Sequence, residues 1–547
     1  PGSIHPNVGW HPSTQAASVS GGDRSSISHG TMDDPSNNPS GTSWRDSGSD
    51  SEVSSQMIKV LMSLLNKKKE QRALGIPPPW RSLRSAPLAV QELLMAAEMK
   101  EINGILDTGS AYEVRLDHIG DNHKVYGTLT LRDTKKNGPK KGQAKVRVCV
   151  NQGPENVESH SPNLQMVTLR ALMAMGGAKK AKLRAGDFPQ AYLNADQDVY
   201  YVWPPKTARQ YDDDGNRLVW ALPKALYGGR ASGRHWYKKL RNWFEANGFA
   251  VSEWDPCLFY KIKPDGKYHY VGVYVDDLIH VYDDDAGYAE TVAGFERDFH
   301  GYSDLGPLTE IFNAEVDVTD KHITLTQSRF IATLADKYLV GEVFKTHTPA
   351  DDKLLSFVRE ASDPKSVGLS AEDHAKYREL VGAMLYCSTV CRPDIAVAVG
   401  LLSRVLEKPT ADMMAAALRT LRYLQTTKDL GLRWNVGGDE TLVGMSDSDW
   451  AVVKSTSGYV FFMCQAAIAY ISKKQGPIAM SSTEAEIMAA SLAALEAVFL
   501  RGILKEFRQA QLQATVIHVD NQGAVALAKN YISNSRTKHI ERRHLKI

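Results

Sequence analysis

Two short runs rich in Val, Ile and Tyr, between Lys267 and Tyr282, flank the adjacent acids Asp276 and Asp277. β-Branched and aromatic residues favour strands, so the stretch predicts a β-hairpin with two carboxylates at its tip. Upstream, Trp236, Tyr237, Leu240, Trp243 and Phe244 fall on one helical face, closed by Gly248. Far downstream, Ser481-Ser482-Thr483-Glu484 opens a long helix on which Met488, Leu492, Leu495, Phe499 and Ile503 predict an apolar stripe. Leu442 to Asp447 and Val516 to Asp520 each read as a strand ending in an acid. Residues 1–55 are dense in Ser, Gly, Asp, Asn and Pro, too poor in apolar groups to offset ordering entropy, and are expected to be disordered. Residues 56–86 predict a short helix (Met57 to Leu65) and a linker at Pro77-Pro78-Pro79, and globular composition begins at Pro87.

At 547 residues the chain has room for about three or four domains. Its 43% hydrophobic and 23% charged content is that of a globular protein. A net charge of +2 gives no global attraction to nucleic acid, so any such affinity must come from local clusters. One cluster stands out: Lys135, Lys136, Lys140, Lys141 and Lys145 lie between Arg132 and Arg147 around an Asn137-Gly138 turn, against the single acid Asp133. A solvated sheet edge and a contact with phosphates both fit it. The five cysteines are scattered, which suits a reducing compartment. Cys387 and Cys391, four apart in an apolar stretch, are expected to share a helix face and not to bind zinc. Neither a signal peptide nor an uninterrupted apolar run of membrane-spanning length is found, so the expected location is intracellular and cytoplasmic. The chain opens at Pro1 without Met and stops after a basic run, as a piece of something longer would.

Adjacent carboxylates in an apolar setting repel unless a cation neutralises them, and hard divalent ions favour oxygen ligands. A two-metal phosphoryl-transfer site needs such acids around ions ~3.5–4 Å apart. A polar turn is the plainer alternative. Asp187 lies 89 residues before Asp276, between a basic strand-like run and a helix-like one, where an N-cap role is the alternative. Ile105 to Ala111 resembles the active-site loop of retroviral-type aspartic proteases, with Asp46-Ser47-Gly48 as a weaker echo. Such an enzyme needs two aspartates sharing a proton, and a helix C-terminal turn at Gly109 is the expected reading of Asp107.

An aspartate at a strand end, an aromatic (Tyr192) five residues on and then an Asp-Asp hairpin form the pattern of reverse transcriptase palms. From about residue 90 to 547 the chain resembles the reverse transcriptase–RNase H region of copia-type LTR retrotransposon Pol polyproteins. The motifs that carry the resemblance stand in order. Ala144-Lys145-Val146-Arg147 is similar to the fingers segment, Asp187 to Leu193 to the first catalytic motif, and Leu226-Tyr227-Gly228 to a turn usually continued by Leu-Lys-Gln. Tyr274-Val275-Asp276-Asp277 is the most recognisable signature. Asp304-Leu305-Gly306 and Ile323 to Gln327 resemble the thumb; Tyr377 to Gly382 and Arg392 to Ile395 resemble the connection. Asp447, Glu484 and Asp520, spaced 37 and 36 residues apart, resemble the acids of RNase H, although Glu484 also fits a capping box with Ser481. Arg536 to Ile540 matches the same domain. Gly229-Arg230, Asn313-Ala314 and a short Val452-Val453-Lys454 depart from the family pattern.

The resemblance implies an α+β fold: a right-hand polymerase with fingers, palm and thumb over 87–345, a connection over 346–440, and an RNase H-like α/β domain over 441–547. It implies that Asp187, Asp276 and Asp277 hold two Mg²⁺ (or Mn²⁺) for RNA-directed DNA synthesis. Lys145 and Arg147 would face the triphosphate, with Tyr192 beneath the incoming sugar. Asp447, Glu484 and Asp520 would hold two further ions for hydrolysis of RNA in hybrids. The implied partners are an RNA template, a DNA primer, dNTPs and the RNA/DNA hybrid, with integrase, other Pol segments or a homodimer also open, no membrane, and virus-like particles as one location. A fourth RNase H carboxylate is expected beyond Lys538-His539-Ile540, and Glu541, among Arg542 and Arg543, suits an ion pair better. The second ion there is therefore expected to be weakly held, impairing cleavage. Two alternatives stay open: an inactive or domesticated relative that binds RNA, and the aspartic protease.

Overall fold

The computed structural model describes residues 88–529 except 121, 135–143, 154–156, 342–343 and 451–453. The expected disordered segment 1–55, the helix and linker of 56–86, the Asn137-Gly138 turn with its four lysines, Val452-Val453, Arg536 to Ile540 and Glu541 lie outside the described residues.

A six-stranded antiparallel sheet carries the first acid site. Its order is Ser303–Pro307, Lys182–Asp187, Asp277–Tyr282, Tyr268–Tyr274, Leu258–Ile262 and Ala250–Val251. Both faces are covered, which is why its central strands read as near-continuous apolar runs. Val271, Val273 and Leu278 point to one side, onto Trp236, Leu240 and Phe244 of helix Ser232–Ala246 and Phe295 of helix Asp285–Asp298. Tyr270, Ile279 and Val281 point to the other, onto Leu169, Leu172 and Met173 of helix Met166–Ala178. The first of these helices buries Trp236, Leu240 and Phe244, and Gly248 (φ 80°) closes it.

Asp304 to Gly306, expected in the thumb, instead forms the edge strand of this sheet, pairing with Lys182–Asp187 and anchored by an Arg184–Asp304 ion pair at 2.8 Å. Between the sheet and its helices His269 and His280 form a buried pair, Nε2 to Nδ1 at 3.0 Å. Burial pushes His280 down to about 3 and His269 well below its usual value, so the pair is neutral.

A five-stranded sheet lies upstream, in the order Tyr112–Arg115, Leu218–Lys224, Asp196–Val202, Val125–Thr134 and Ala144–Asn151. Gly228 (φ 84°) turns tightly against it; a Cβ there would stand 2.3 Å from the Val150 carbonyl oxygen. Helix Leu88–Asp107 ends at Gly109 (φ 63°), whose N–H donates to the Leu106 carbonyl at 2.9 Å, so Asp107 belongs to a helix C-terminus.

Thumb and connection share a sheet. His322–Thr326 pairs with Ala314–Val318 on one side and with Gly431–Asn435 on the other. Between these strands runs a helical unit (Ser328–Tyr338, Leu354–Ala361, Ala371–Val390, Ala396–Ser403, Ala411–Thr426) cored by Tyr377, Leu380, Met384, Leu402 and Leu421. Arg392, 1% exposed, is held there by Asp394 at 2.7 Å and by the Thr427 carbonyl at 3.0 Å. All five cysteines are buried and none forms a disulfide, Cys387 and Cys391 four residues apart at the end of helix Ala371–Val390.

The last unit orders its strands Ala466–Lys474, Thr456–Met463, Val443–Asp449 and Val516–His518, the final pair parallel. Helix Ser482–Glu506 covers it. Leu495, expected in its apolar stripe, is 66% exposed, while Ala485, Ala489, Ala493 and Ala497 are buried. Met488 and Ile503 of the expected stripe are buried, so the inner face combines them with Leu500 and these alanines, whose small side chains allow close approach. This helix is long and apolar enough to cross a membrane by length and composition, although Glu496 and Arg501 interrupt its apolar run as expected, and 61% of its most apolar window is buried inside the protein.

Its C-terminal turn meets the palm directly. Lys179 Nζ donates to the Phe507 carbonyl (2.6 Å) and Tyr270 OH to that of Glu506 (3.1 Å). Arg170, 5% exposed, reaches from the palm helix to the Ile468 carbonyl (2.7 Å) and the Thr389 carbonyl (2.7 Å). Leu172, Ile279, Phe461, Leu500 and Phe507 therefore lie in one continuous core.

Candidate active sites

Strand pairing brings the first acids together. The register sets Asp277 opposite both Tyr274 and Asp187, leaving Val275 and Asp276 as a two-residue turn. Val275 has φ 61°, a conformation that β-branched residues rarely adopt. Two donors hold the turn: Phe188 N–H on the Asp276 carbonyl (2.9 Å) and Trp236 Nε1–H on the Val275 carbonyl (2.6 Å).

Burial, then repulsion from Asp276, pushes the Asp187 carboxyl up to about 6, against the pull of Lys145 and Arg147. Asp277 stands opposite Asp187 in the sheet, and the charge of Asp276 raises the Asp187 pKa. Tyr192, in the short turn Ala191–Asn194, packs edge-on against Tyr227 at 5.1 Å, and burial and Asp276 raise its hydroxyl. The Arg147 guanidinium stands 4.8 Å from the Tyr227 ring. Lys145 and Arg147, on strand Ala144–Asn151, are close enough to lower the Asp187 pKa, and Arg147 that of Tyr192, so these side chains lie near Asp187 and Asp276.

The second cluster differs from expectation in one member. Carboxylate oxygens of Asp447, Glu486 and Asp520 all lie within 4.8 Å of one another. Glu484 is elsewhere: it accepts from Met480 N–H at 2.6 Å and its own N–H is capped by Ser481 Oγ at 3.1 Å. A glutamate closing a capping box reaches back along its helix and cannot also face the sheet. Glu486, two residues on, points at the strand, where Ser448 donates to its Oε1 from N–H (3.1 Å) and Oγ–H (2.7 Å). Burial and the charges of Asp447 and Asp520 raise its pKa. Its Oε2 is buried with no hydrogen-bond partner among the described residues.

Both sites suit divalent cations by the chemistry of their donors. The first concentrates acids whose repulsion a cation would relieve, and the second leaves a buried carboxylate oxygen unpartnered.

Fold and acid placement together define a right-hand polymerase followed by an RNase H-like α/β domain. The family described as reverse transcriptase (RNA-dependent DNA polymerase) matches residues 112–352. The Pol polyprotein from transposon TNT 1-94 of Nicotiana tabacum is 30% identical over 397 residues, 71% of this chain and 29% of the polyprotein. That from transposon RE1 of Arabidopsis thaliana is 31% identical over 400 residues, 71% of this chain and 26% of the polyprotein. The transposon Ty5-1 protein YCL074W of Saccharomyces cerevisiae is 30% identical over 318 residues, 57% of this chain and 99% of its own length. The chain belongs to the reverse transcriptase family, in the branch of copia-type retrotransposon Pol polyproteins. It spans less than a third of the tobacco and Arabidopsis polyproteins.

Sequence reasoning passed over Glu486 as a member of the acid cluster, and over the contacts that Trp236 and Tyr227 make beside the first acids. Trp236 read as core, Tyr227 as part of a turn. For Glu486 the signal was available: Glu484 sits at the capped first turn, where its carboxylate is spent on Met480 N–H, which leaves the next acid on the helix for the sheet.

Proposed function

We propose that this chain copies RNA into DNA and that its second acid cluster hydrolyses the RNA of the resulting hybrid. The observation that supports it most is Asp187 opposite Asp277 in the sheet, with Asp276 of the strained turn close enough to raise its pKa and Lys145 and Arg147 close enough to lower it. Asp187, Asp276 and Asp277 would hold two Mg²⁺, which when bound lower the pKa of the primer 3′-hydroxyl and neutralise the α-phosphate and departing pyrophosphate. Arg147 and Lys145 draw the triphosphate into the cleft by charge. Tyr192 places bulk beneath the sugar, where a 2′-hydroxyl would collide.

Asp447, Glu486 and Asp520 would hold the ions of the second site, with Ser448 orienting Glu486. Hybrid recognition there goes to the wide minor groove and its 2′-hydroxyls, independent of sequence. Template, primer, hybrid and dNTPs are the partners of this reading. The test is incorporation of labelled dNTPs on a primed RNA template with Mg²⁺. Extension that fails in both Asp187→Asn and Asp276→Asn supports the reading, and wild-type rates in both variants refute it.

A further inference from the structure

We infer that Trp236 is a positioning residue of the polymerase site, holding the strained Val275 turn so that Asp276 meets Asp187. Its activity arm rests on the polymerase reading above, and its structural arm on geometry alone. Trp236 is 2% exposed, and its ring packs edge-on against Phe188 at 5.1 Å and Phe299 at 5.7 Å. Any large apolar ring could fill that space. What only Trp supplies is the indole N–H, and this one is spent on the carbonyl of Val275, the residue with φ 61°. A residue in a disfavoured backbone conformation keeps that conformation only while its surroundings demand it.

The ring acts on the other acid too. Phe188 directly follows Asp187, packs on Trp236, and donates its N–H to the Asp276 carbonyl at 2.9 Å. One side chain thus ties together the two backbone segments from which Asp187 and Asp276 project. Loss of the N–H frees the turn to relax toward negative φ, which swings Asp276 and leaves the rest of the core in place.

Trp236→Phe keeps the ring and removes the donor. Primer extension on RNA should then lose about tenfold in kcat, with dNTP KM and primer–template Kd within about twofold of wild type. Hydrogen–deuterium exchange should rise in peptides covering 268–282 and stay unchanged elsewhere. Glycine adopts positive φ without strain, so Val275→Gly should make the donor dispensable. In that background, adding Trp236→Phe should change kcat by no more than about twofold.

Three results would overturn the inference: wild-type kcat with unchanged hairpin exchange in Trp236→Phe, a rise in exchange spread over the whole chain, or the same tenfold loss in the Val275→Gly background. Absence of incorporation by the wild-type chain would instead remove the polymerase reading. The exchange comparison still decides whether Trp236 holds the turn.

Discussion

Glu484 and Glu486 lie two residues apart on one helix, and exchanging their roles gives opposite phenotypes. Glu484→Ala removes the acceptor for Met480 N–H, bound at 2.6 Å, while Ser481 still caps Glu484 N–H. Losing half of a capping box costs about 1 kcal/mol. No acid of the Asp447 cluster is touched, so hybrid cleavage should persist. Glu486→Gln does the reverse. The amide oxygen can still accept from Ser448, and the amide NH₂ replaces the unpartnered Oε2 beside Asp447 and Asp520.

The sign follows from the raised pKa of Glu486. A carboxyl whose folded pKa exceeds its unfolded one is held ionised at a cost that grows as pH rises through that interval and is full above it. At neutral pH the Gln variant escapes that cost and should be as stable as wild type or more so, while cleavage falls on the order of a hundredfold or more. Urea denaturation and cleavage of a labelled RNA/DNA hybrid across a Mg²⁺ and Mn²⁺ titration give both readings from one preparation. Undiminished stability with abolished cleavage in Glu484→Ala, together with wild-type cleavage in Glu486→Gln, would refute the assignment.

Four further outcomes follow. Asp276→Asn should abolish extension yet keep primer–template affinity, measured by fluorescence anisotropy, because affinity draws mainly on phosphate contacts. Because Asp187 sits at about 6, protons compete with Mg²⁺ there; calorimetric Mg²⁺ affinity should weaken as pH falls from 7.5 to 5.5, and Asp187→Asn should remove most of that dependence and raise thermal stability at pH 7. Tyr192→Ala should raise ribonucleotide use relative to deoxyribonucleotide use in competition assays; an unchanged ratio in a folded, active variant would leave Tyr192 as packing. Arg170→Met removes the donor from the buried Ile468 carbonyl, while the Thr389 carbonyl keeps Tyr470 OH, and should cost about 1–3 kcal/mol by denaturation.

The polymerase hairpin was legible because its information is local: strand-forming residues on either side of two acids admit few other conformations. Asp187 was legible from its spacing to an aromatic and to that hairpin. What escaped was set by distant partners. Asp304 to Gly306 looks like any turn until the free edge of Lys182–Asp187 claims it, and Gly431–Asn435 finds its strand partner more than a hundred residues upstream. Glu484 misled because its motif is real but has a local use. Leu495 misled because the buried face, set by the sheet beneath, runs through Ala493, Ala497 and Leu500 and leaves position 495 outward.

The core shared by palm and RNase H-like domain has a mechanical meaning. Leu172 and Ile279 pack into the same body as Phe461 and Leu500, and Arg170 grips the backbone of the second unit from the first. Two acid clusters built on one packed body keep a constant separation, like two marks on a ruler. On the proposed function, a duplex advancing one step past the first would advance one step past the second. The number of base pairs between the newest nucleotide and the point of attack on the template would then be a property of the fold, written in side-chain packing, and would stay the same at any speed of synthesis.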